Sequence, residues 1–138
     1  MTQALRGIAT IRLMAADHQA AVAWYSELLG TKAYFERPGY AEFRIGDRQT
    51  EVGIMDSKYA PQAMARADTT PAGVVVYWHV DNVQAMFQRV LSMGATQLEG
   101  PQDRGHGFIT ATVVDPFGNI LGLMYNPHYL DVRDSKAA

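Results

Sequence analysis

Cysteine does not occur among the 138 residues, which removes disulfides, thiolate metal sites and cysteine nucleophiles together. An excess of either charge is also missing: 12 Lys and Arg stand against 14 Asp and Glu, a formal net charge of −2. That balance offers no electrostatic footprint for nucleic acid and no polybasic patch for a lipid surface. No apolar run is long enough to span a bilayer, and residues 1–7 lack the apolar stretch of a secretory signal. These absences predict a cytoplasmic protein with no nucleic-acid and no membrane partner. No P-loop, dinucleotide fingerprint or nucleophile–base pair is found either. The chain is 48% hydrophobic and 19% charged, an ordinary globular composition in a length that suits a single domain with its own core.

What the chain does contain is a repeat. ATIRLMAAD leads into HQAAVAWYSELLG, and VVVYWHVD leads into NVQAMFQRVLSMG. Each half reads as an apolar strand, an Asp, a helix and a Gly, and Asp17 to Gly30 spans the same 13 positions as Asp81 to Gly94. An Asp at the N-cap accepts orphan helix N–H groups and complements the dipole. A Gly just past the end takes the left-handed cap conformation without a Cβ penalty. Val22, Tyr25 and Leu29 mark the apolar stripe of the first helix, and Val83, Met86, Val90 and Met93 that of the second.

Three strands are expected after each helix: Thr31–Arg37, Tyr40–Ile45 and Gln49–Met55, then Ala95–Leu98, Phe108–Val114 and Ile120–Tyr125. Pro38-Gly39, Gly46-Asp47 and the run Asp115 to Asn119 supply turns. The resulting boundaries are 8–57 for module one, 58–72 for a linker, 73–126 for module two and 127–138 for a loose polar tail. Within the linker, helix is expected at Pro61–Ala67 if anywhere.

The order βαβββ–linker–βαβββ, with DPFGNILGLMY at the last strand and AVAWYSELLG in the first helix, resembles the vicinal oxygen chelate superfamily over Ile8 to Tyr125. That superfamily includes glyoxalase I, extradiol dioxygenases and bleomycin resistance proteins. The resemblance implies an α+β fold in which two βαβββ modules form a U-shaped mixed-sheet trough, with helices on its outer face. It also implies a homodimer. In metal-dependent members a divalent ion is held in the trough by side chains seven residues before each helix Asp and seven after the Asp of the DP-G turn. Those places carry Thr10, Val74 and Gly122 here, and QTEVGIM aligned on NILGLMY sets Gly53 opposite Gly122. This set lacks the nitrogen and oxygen donors a divalent site needs. No metal and no other cofactor is therefore expected.

Strand alternation sorts the remaining side chains. Ile8, Thr10, Arg12 and Met14 share one face; Glu51, Gly53 and Met55 share another if Val52 and Ile54 meet the helix. Val74, Val76 and Trp78 are assigned inward with Tyr77 turned away, and Ile120, Gly122 and Met124 inward beside Phe108, Thr110 and Thr112. Alternation leaves the faces of Ala41 and Phe43 unassigned. Arg12 has two readings, a clamp for a carboxylate or phosphate or one half of a structural pair with Glu51. Trp78 and Met124 are either walls for a flat ligand or simple filling. Gly53 and Gly122 either leave room for a ligand or mark a close backbone approach. Of the histidines, His79 is assigned to the helix side, His18 follows a cap, His128 lies in the tail, and His106 in its Gly-rich turn is the best placed for acid–base chemistry.

The ligand-binding set expected from this sequence is thus Thr10, Arg12, Glu51, Val74, Trp78, Phe108, Gly122 and Met124. The function it points to is metal-independent binding of a small molecule, an aromatic or anionic ligand, as in the superfamily's antibiotic-sequestering members. A glyoxalase-like lyase or isomerase and a protein-binding module are the alternatives.

Overall fold

The computed structural model describes residue 4, residues 8–59 and residues 74–136. The expected connector helix at Pro61–Ala67 lies outside the described residues. The chain divides into two compact units, residues 1–65 and 66–138. Unit one runs β1 (Thr10–Ala15), α1 (His18–Leu29), β2 (Phe35–Arg37), β3 (Tyr40–Ile45) and β4 (Thr50–Asp56), ending in a 3-10 turn at Ser57–Tyr59. Unit two runs β5 (Val76–His79), α2 (Val83–Ser92), β6 (Thr96–Gly105), β7 (Phe108–Val114), β8 (Ile120–Tyr125) and α3 (Pro127–Lys136). Strand order is β1-β4-β3-β2 in one sheet and β5-β8-β7-β6 in the other. In both, the outer first strand pairs parallel with the last and the remaining pairs are antiparallel. The α+β class and the two βαβββ modules are as the sequence predicts.

The first helix keeps its predicted ends. Asp17 accepts the Ala20 N–H at 3.1 Å, and Gly30 takes φ 69° while its N–H reaches Ser26 O at 3.0 Å. The second helix starts one residue later than predicted, because Asn82, not Asp81, accepts the Ala85 N–H at 3.0 Å. Its end is also shifted, to Met93, with Gly94 (φ 103°) just beyond. Of the expected stripes Tyr25, Val83 and Val90 are buried, Val22, Leu29, Met86 and Met93 are half-buried, and Ala21 and Phe87 are buried in addition.

These residues build the cores. In unit one α1 lies on Ala41, Phe43 and Ile45 of β3 and Val52 and Ile54 of β4, which fixes the faces that alternation left open. In unit two α2 lies on Ala111 and Val113 of β7 and Leu121 and Leu123 of β8. Each fully buried Phe or Leu contributes about 1.5–3 kcal/mol, so both helices are held by tertiary packing more than by propensity.

Two segments are more ordered than expected. Strand β6 continues past Leu98 to Gly105, and breaks of register between Gln97 and Glu99, Glu99 and Gln102, and Asp103 and Gly105 let it carry Gly100 and Pro101 as an edge strand. The tail is helical rather than loose, because the Asn126 side chain caps α3 by accepting the Tyr129 N–H at 3.1 Å. Among the described residues no helix is long and apolar enough to cross a membrane.

Candidate functional site

Each sheet has a face packed on its helix and a second face, called distal below. Cross-strand partners share a face, so register assigns each side chain. On the distal face of unit one β1 offers Thr10, Arg12 and Met14, paired in register with Glu51, Gly53 and Met55 of β4. Strand β3 adds Tyr40, Glu42 and Arg44, opposite Met55, Gly53 and Glu51. Thr10, Arg12 and Glu51, all expected in the site, therefore come together. Tyr34, Tyr40, Glu42 and Arg44 join them unforeseen, although the apolar–polar alternation of Tyr40 to Ile45 carries the signal that would have found three of the four.

The polar groups of this face form one network. Glu51 accepts from Arg44 Nε at 3.1 Å, from the Tyr34 hydroxyl at 3.0 Å and from Thr10 Oγ1 at 3.4 Å. Glu42 accepts from the Tyr40 hydroxyl at 2.5 Å and from the Tyr34 hydroxyl. The Arg44 guanidinium lies 4.1 Å from the centre of the Tyr34 ring, an attraction worth about 0.5–1 kcal/mol at an exposed site. Glu51 forms an ion pair with Arg44, a cation that the two readings of Arg12 do not include; Arg12 is exposed and lies near enough to Tyr40 to favour its ionised form.

Ionisation follows from these contacts. The bond to Glu42, more than any other cause, pushes the Tyr34 hydroxyl up to about 12. Burial, then the bond to Glu42, pushes Tyr40 up to about 12. Glu51 is held below the ordinary carboxylate range by the hydrogen bonds from Tyr34 and Arg44, and Arg44 is raised in turn by Glu51. Near neutral pH the face presents neutral tyrosines beside an ionised Glu51 and a charged Arg44.

In unit two the register pairs Tyr77 with Gly122 and Trp78 with Leu123. Leu123 is a core residue, so Val76 and Trp78 lie on the α2 side and Tyr77 lies on the distal face. That corrects the sequence assignment, which had Trp78 inward and Tyr77 turned away. The cause is the shifted cap: counting seven residues back from Asn82, the true cap, reaches Val75, whereas counting from Asp81 reached Val74. A slip of one residue turns every side chain of a strand over. Val74 itself precedes β5 and is exposed. Phe108, Thr110, Thr112, Gly122 and Met124 do share the distal face, where Arg104 Nε donates to Thr110 Oγ1 at 2.9 Å and the Arg104 guanidinium also bonds Glu99. His79 pairs in register with Met124 and is likewise on this face, not on the helix side.

The two glycines are neither vacancies nor backbone contacts alone. A Cβ on Gly53 would strike the Tyr40 hydroxyl and ring; one on Gly122 would stand 2.7 Å from Tyr77 Cδ1 and 2.9 Å from Val76 O. In each unit a tyrosine ring lies over the glycine where a metal ligand would have to project. The residues present do not fit the divalent ion that the resemblance implies: Thr10 is engaged by Glu51, Val74 and Val75 carry no donor, and the glycine positions are covered. Among the described residues no group of three or more His, Asp or Glu side chains is placed to hold a metal.

His18 Nε2 bonds Ile54 O at 2.9 Å and lines a cleft of about 390 Å³ with Gln19, Arg37 and Pro38 at the start of α1. His106 is exposed at φ 54° in the β6–β7 turn, and His128 lies on α3.

The fold agrees with what known proteins show. The glyoxalase/bleomycin resistance protein/dioxygenase superfamily matches residues 7–123, and the chain belongs to that superfamily. No curated protein matches it. Among solved structures it is similar to a glyoxalase-related enzyme from Fulvimarina pelagi, at 20% identity and a TM-score of 0.69 over 89% of this chain and 90% of that one. A lactoylglutathione lyase from Agrobacterium tumefaciens gives 18% identity and a TM-score of 0.68 over 90% of this chain and 96% of that one. A glyoxalase/bleomycin resistance protein/dioxygenase from Nocardioides gives 18% and 0.69, over 90% and 85%. Identities this low establish the fold and leave the chemistry to the site.

Proposed function

We propose that this chain is a metal-independent small-molecule-binding member of the superfamily, a cytoplasmic homodimer that holds an aromatic or anionic ligand on its distal faces. The observation that carries the reading is the tyrosine over each glycine: the places that would aim ligands at a metal carry aromatic surface in its stead. Arg44 and Tyr34, both exposed, supply a cation–π platform on which a planar ligand can stack. Arg12 adds a second guanidinium able to grip a carboxylate or phosphate. Glyoxalase-type lyase or isomerase activity is the second reading, favoured by the single Tyr34 hydroxyl that touches both Glu42 and Glu51 and could pass a proton between them. It requires turnover that Glu42→Gln and Tyr34→Phe each abolish.

A thermal-shift screen of aromatic acids tests the binding reading, since a ligand of the native state raises apparent stability. Arg12→Met is expected to weaken a bound aromatic acid by about 1.5–3 kcal/mol, the usual worth of a charged hydrogen bond. If no aromatic acid shifts the curve, or if the shift survives Arg12→Met and Arg44→Met together, the reading fails. The dimer rests on the sheet edges: β1, β2, β5 and β6 are each the end strand of a sheet and natural proteins cover such edges. Sedimentation as a monomer at micromolar concentration would remove that part.

A further inference from the structure

His79 is the one described side chain that is buried and carries a polar atom without a hydrogen-bond partner. Its ring is sandwiched at the end of β5, stacked on Tyr129 of α3 at 4.8 Å and 9° and tilted against Tyr125 of β8 at 5.3 Å. Nδ1 receives the Asn126 N–H at 3.1 Å. Only an unprotonated nitrogen can accept, so the imidazole is neutral and its hydrogen is on Nε2. The Asp81 carboxylate stands 3.5 Å from Nε2, within ion-pair reach but without hydrogen-bond geometry.

Asn126 joins His79 to the C-terminal helix. Its N–H binds the imidazole, its side-chain oxygen caps α3 at Tyr129 N, and its amide nitrogen lies 3.6 Å from Met124 Sδ. The helix itself is shallowly packed: Tyr129, Leu130 and Val132 are half-buried, and no α3 side chain with a described burial is fully buried. From this geometry we propose that His79 is a proton-operated latch on α3. The neutral ring fastens the helix through the Asn126 N–H; a proton taken from water at Nδ1 turns that acceptor into a donor, sets two N–H groups against each other and releases α3. The two ends of the ring respond oppositely. Asp81 favours the imidazolium, but its side chain is 94% exposed and solvent screens the attraction, while the lost bond at Nδ1 is buried. Among the described residues, the titratable groups in contact with the ring are Asp81 from the β5–α2 junction, Tyr125 from β8 and Tyr129 from α3; His128, Asp131, Arg133 and Asp134 of α3 are exposed. Release frees Asn126 from Met124 and so uncovers one end of the unit-two distal face.

The latch is independent of any ligand, and the full chain tests it. Imidazole ¹⁵N shifts at about pH 7.5 should show Nε2 protonated and Nδ1 bare. Amide exchange of residues 129–132, corrected for its intrinsic pH dependence, should lose about ten-fold protection or more between pH 7.5 and about pH 5. His79→Gln keeps an acceptor and cannot titrate, so its α3 protection should be the same at both pH values, whereas His128→Gln should behave as wild type. A protonated Nδ1 at neutral pH, constant protection in wild type, or a drop that persists in His79→Gln each overturns the latch. Should His79→Gln fail to fold, the wild-type tautomer and exchange data decide alone.

Discussion

At Tyr34 one hydroxyl hydrogen has two carboxylates to serve, Glu42 and Glu51, while Tyr40 gives its own hydrogen to Glu42. The bond to Glu42 foremost for Tyr34, and burial and then the bond to Glu42 for Tyr40, push both hydroxyls up to about 12. An unfolded tyrosine ionises near 10. Between those two values the folded chain keeps two protons that the unfolded chain has lost, so stability falls as pH rises from about 10 to about 12 and is unaffected by these groups below that window. Glu51 acts in the opposite sense, since its lowered value makes its contribution present above the ordinary carboxylate range and lost as pH falls through its folded value. An absorbance titration at alkaline pH should therefore find Tyr34 and Tyr40 ionising late, near 12. Tyr34→Phe and Tyr40→Phe should each delete one late step. Seven tyrosines ionising together near 10 would contradict the network.

Among the elements, the helices show how far pattern reasoning reaches. Asp17 and Gly30 were legible as the ends of α1 because a cap is a local contract between a side chain and the next three residues. Asp81 and Asn82 are both good caps in sequence, and the structure gives the role to Asn82, whose side chain accepts the Ala85 N–H. That one residue then propagated along β5, moving Trp78 to the wrong face and hiding Tyr77. Strands Tyr40–Ile45, Phe108–Val114 and Ile120–Tyr125 were read with their observed limits because turns at Pro38-Gly39, His106-Gly107 and the Asp115–Asn119 loop bound them. β6 was read short because its Gly100 and Pro101 resemble a loop until the edge position and the bulges are known. Substitution can verify the cap: Asn82→Ala should cost about 1 kcal/mol in a denaturant melt, and Asp81→Ala no more than about 0.5 kcal/mol through the helix dipole. The reverse order would restore Asp81 as the cap.

At the scale of the whole chain, duplication is the organising fact, and it was legible from the repeated strand–Asp–helix–Gly order alone. Both units carry the same strand order with a parallel outer pair, so an equivalent position in one has a counterpart in the other. The lack of donors at Thr10, Gly53, Val74 and Gly122 was legible for the same reason, and moving the count to Val75 leaves it intact. What occupies the glycine positions was not legible, because Tyr40 reaches Gly53 from an adjacent strand one register step away and Tyr77 covers Gly122 only once the face of β5 is known. Two tyrosines serving one purpose from different strands leave no common sequence signal. Their consequence is measurable. A divalent ion bound by the native state would add to stability and be lost to a chelator. With a hydroxyl already bonded to Glu51 at Thr10 and aromatic rings over both glycines, no such increment is expected. EDTA should leave the melting temperature within about 1 °C, and elemental analysis should find well under about 0.1 equivalent of Ni, Zn, Mn or Fe per chain. Tyr40→Ala and Tyr77→Ala sharpen the test: uncovering glycine creates space but no donor, so the metal-free result should hold in both variants. A stoichiometric ion in the wild type, removable by chelation with a fall in melting temperature, would mean that side chains other than those at the glycine positions build a metal site.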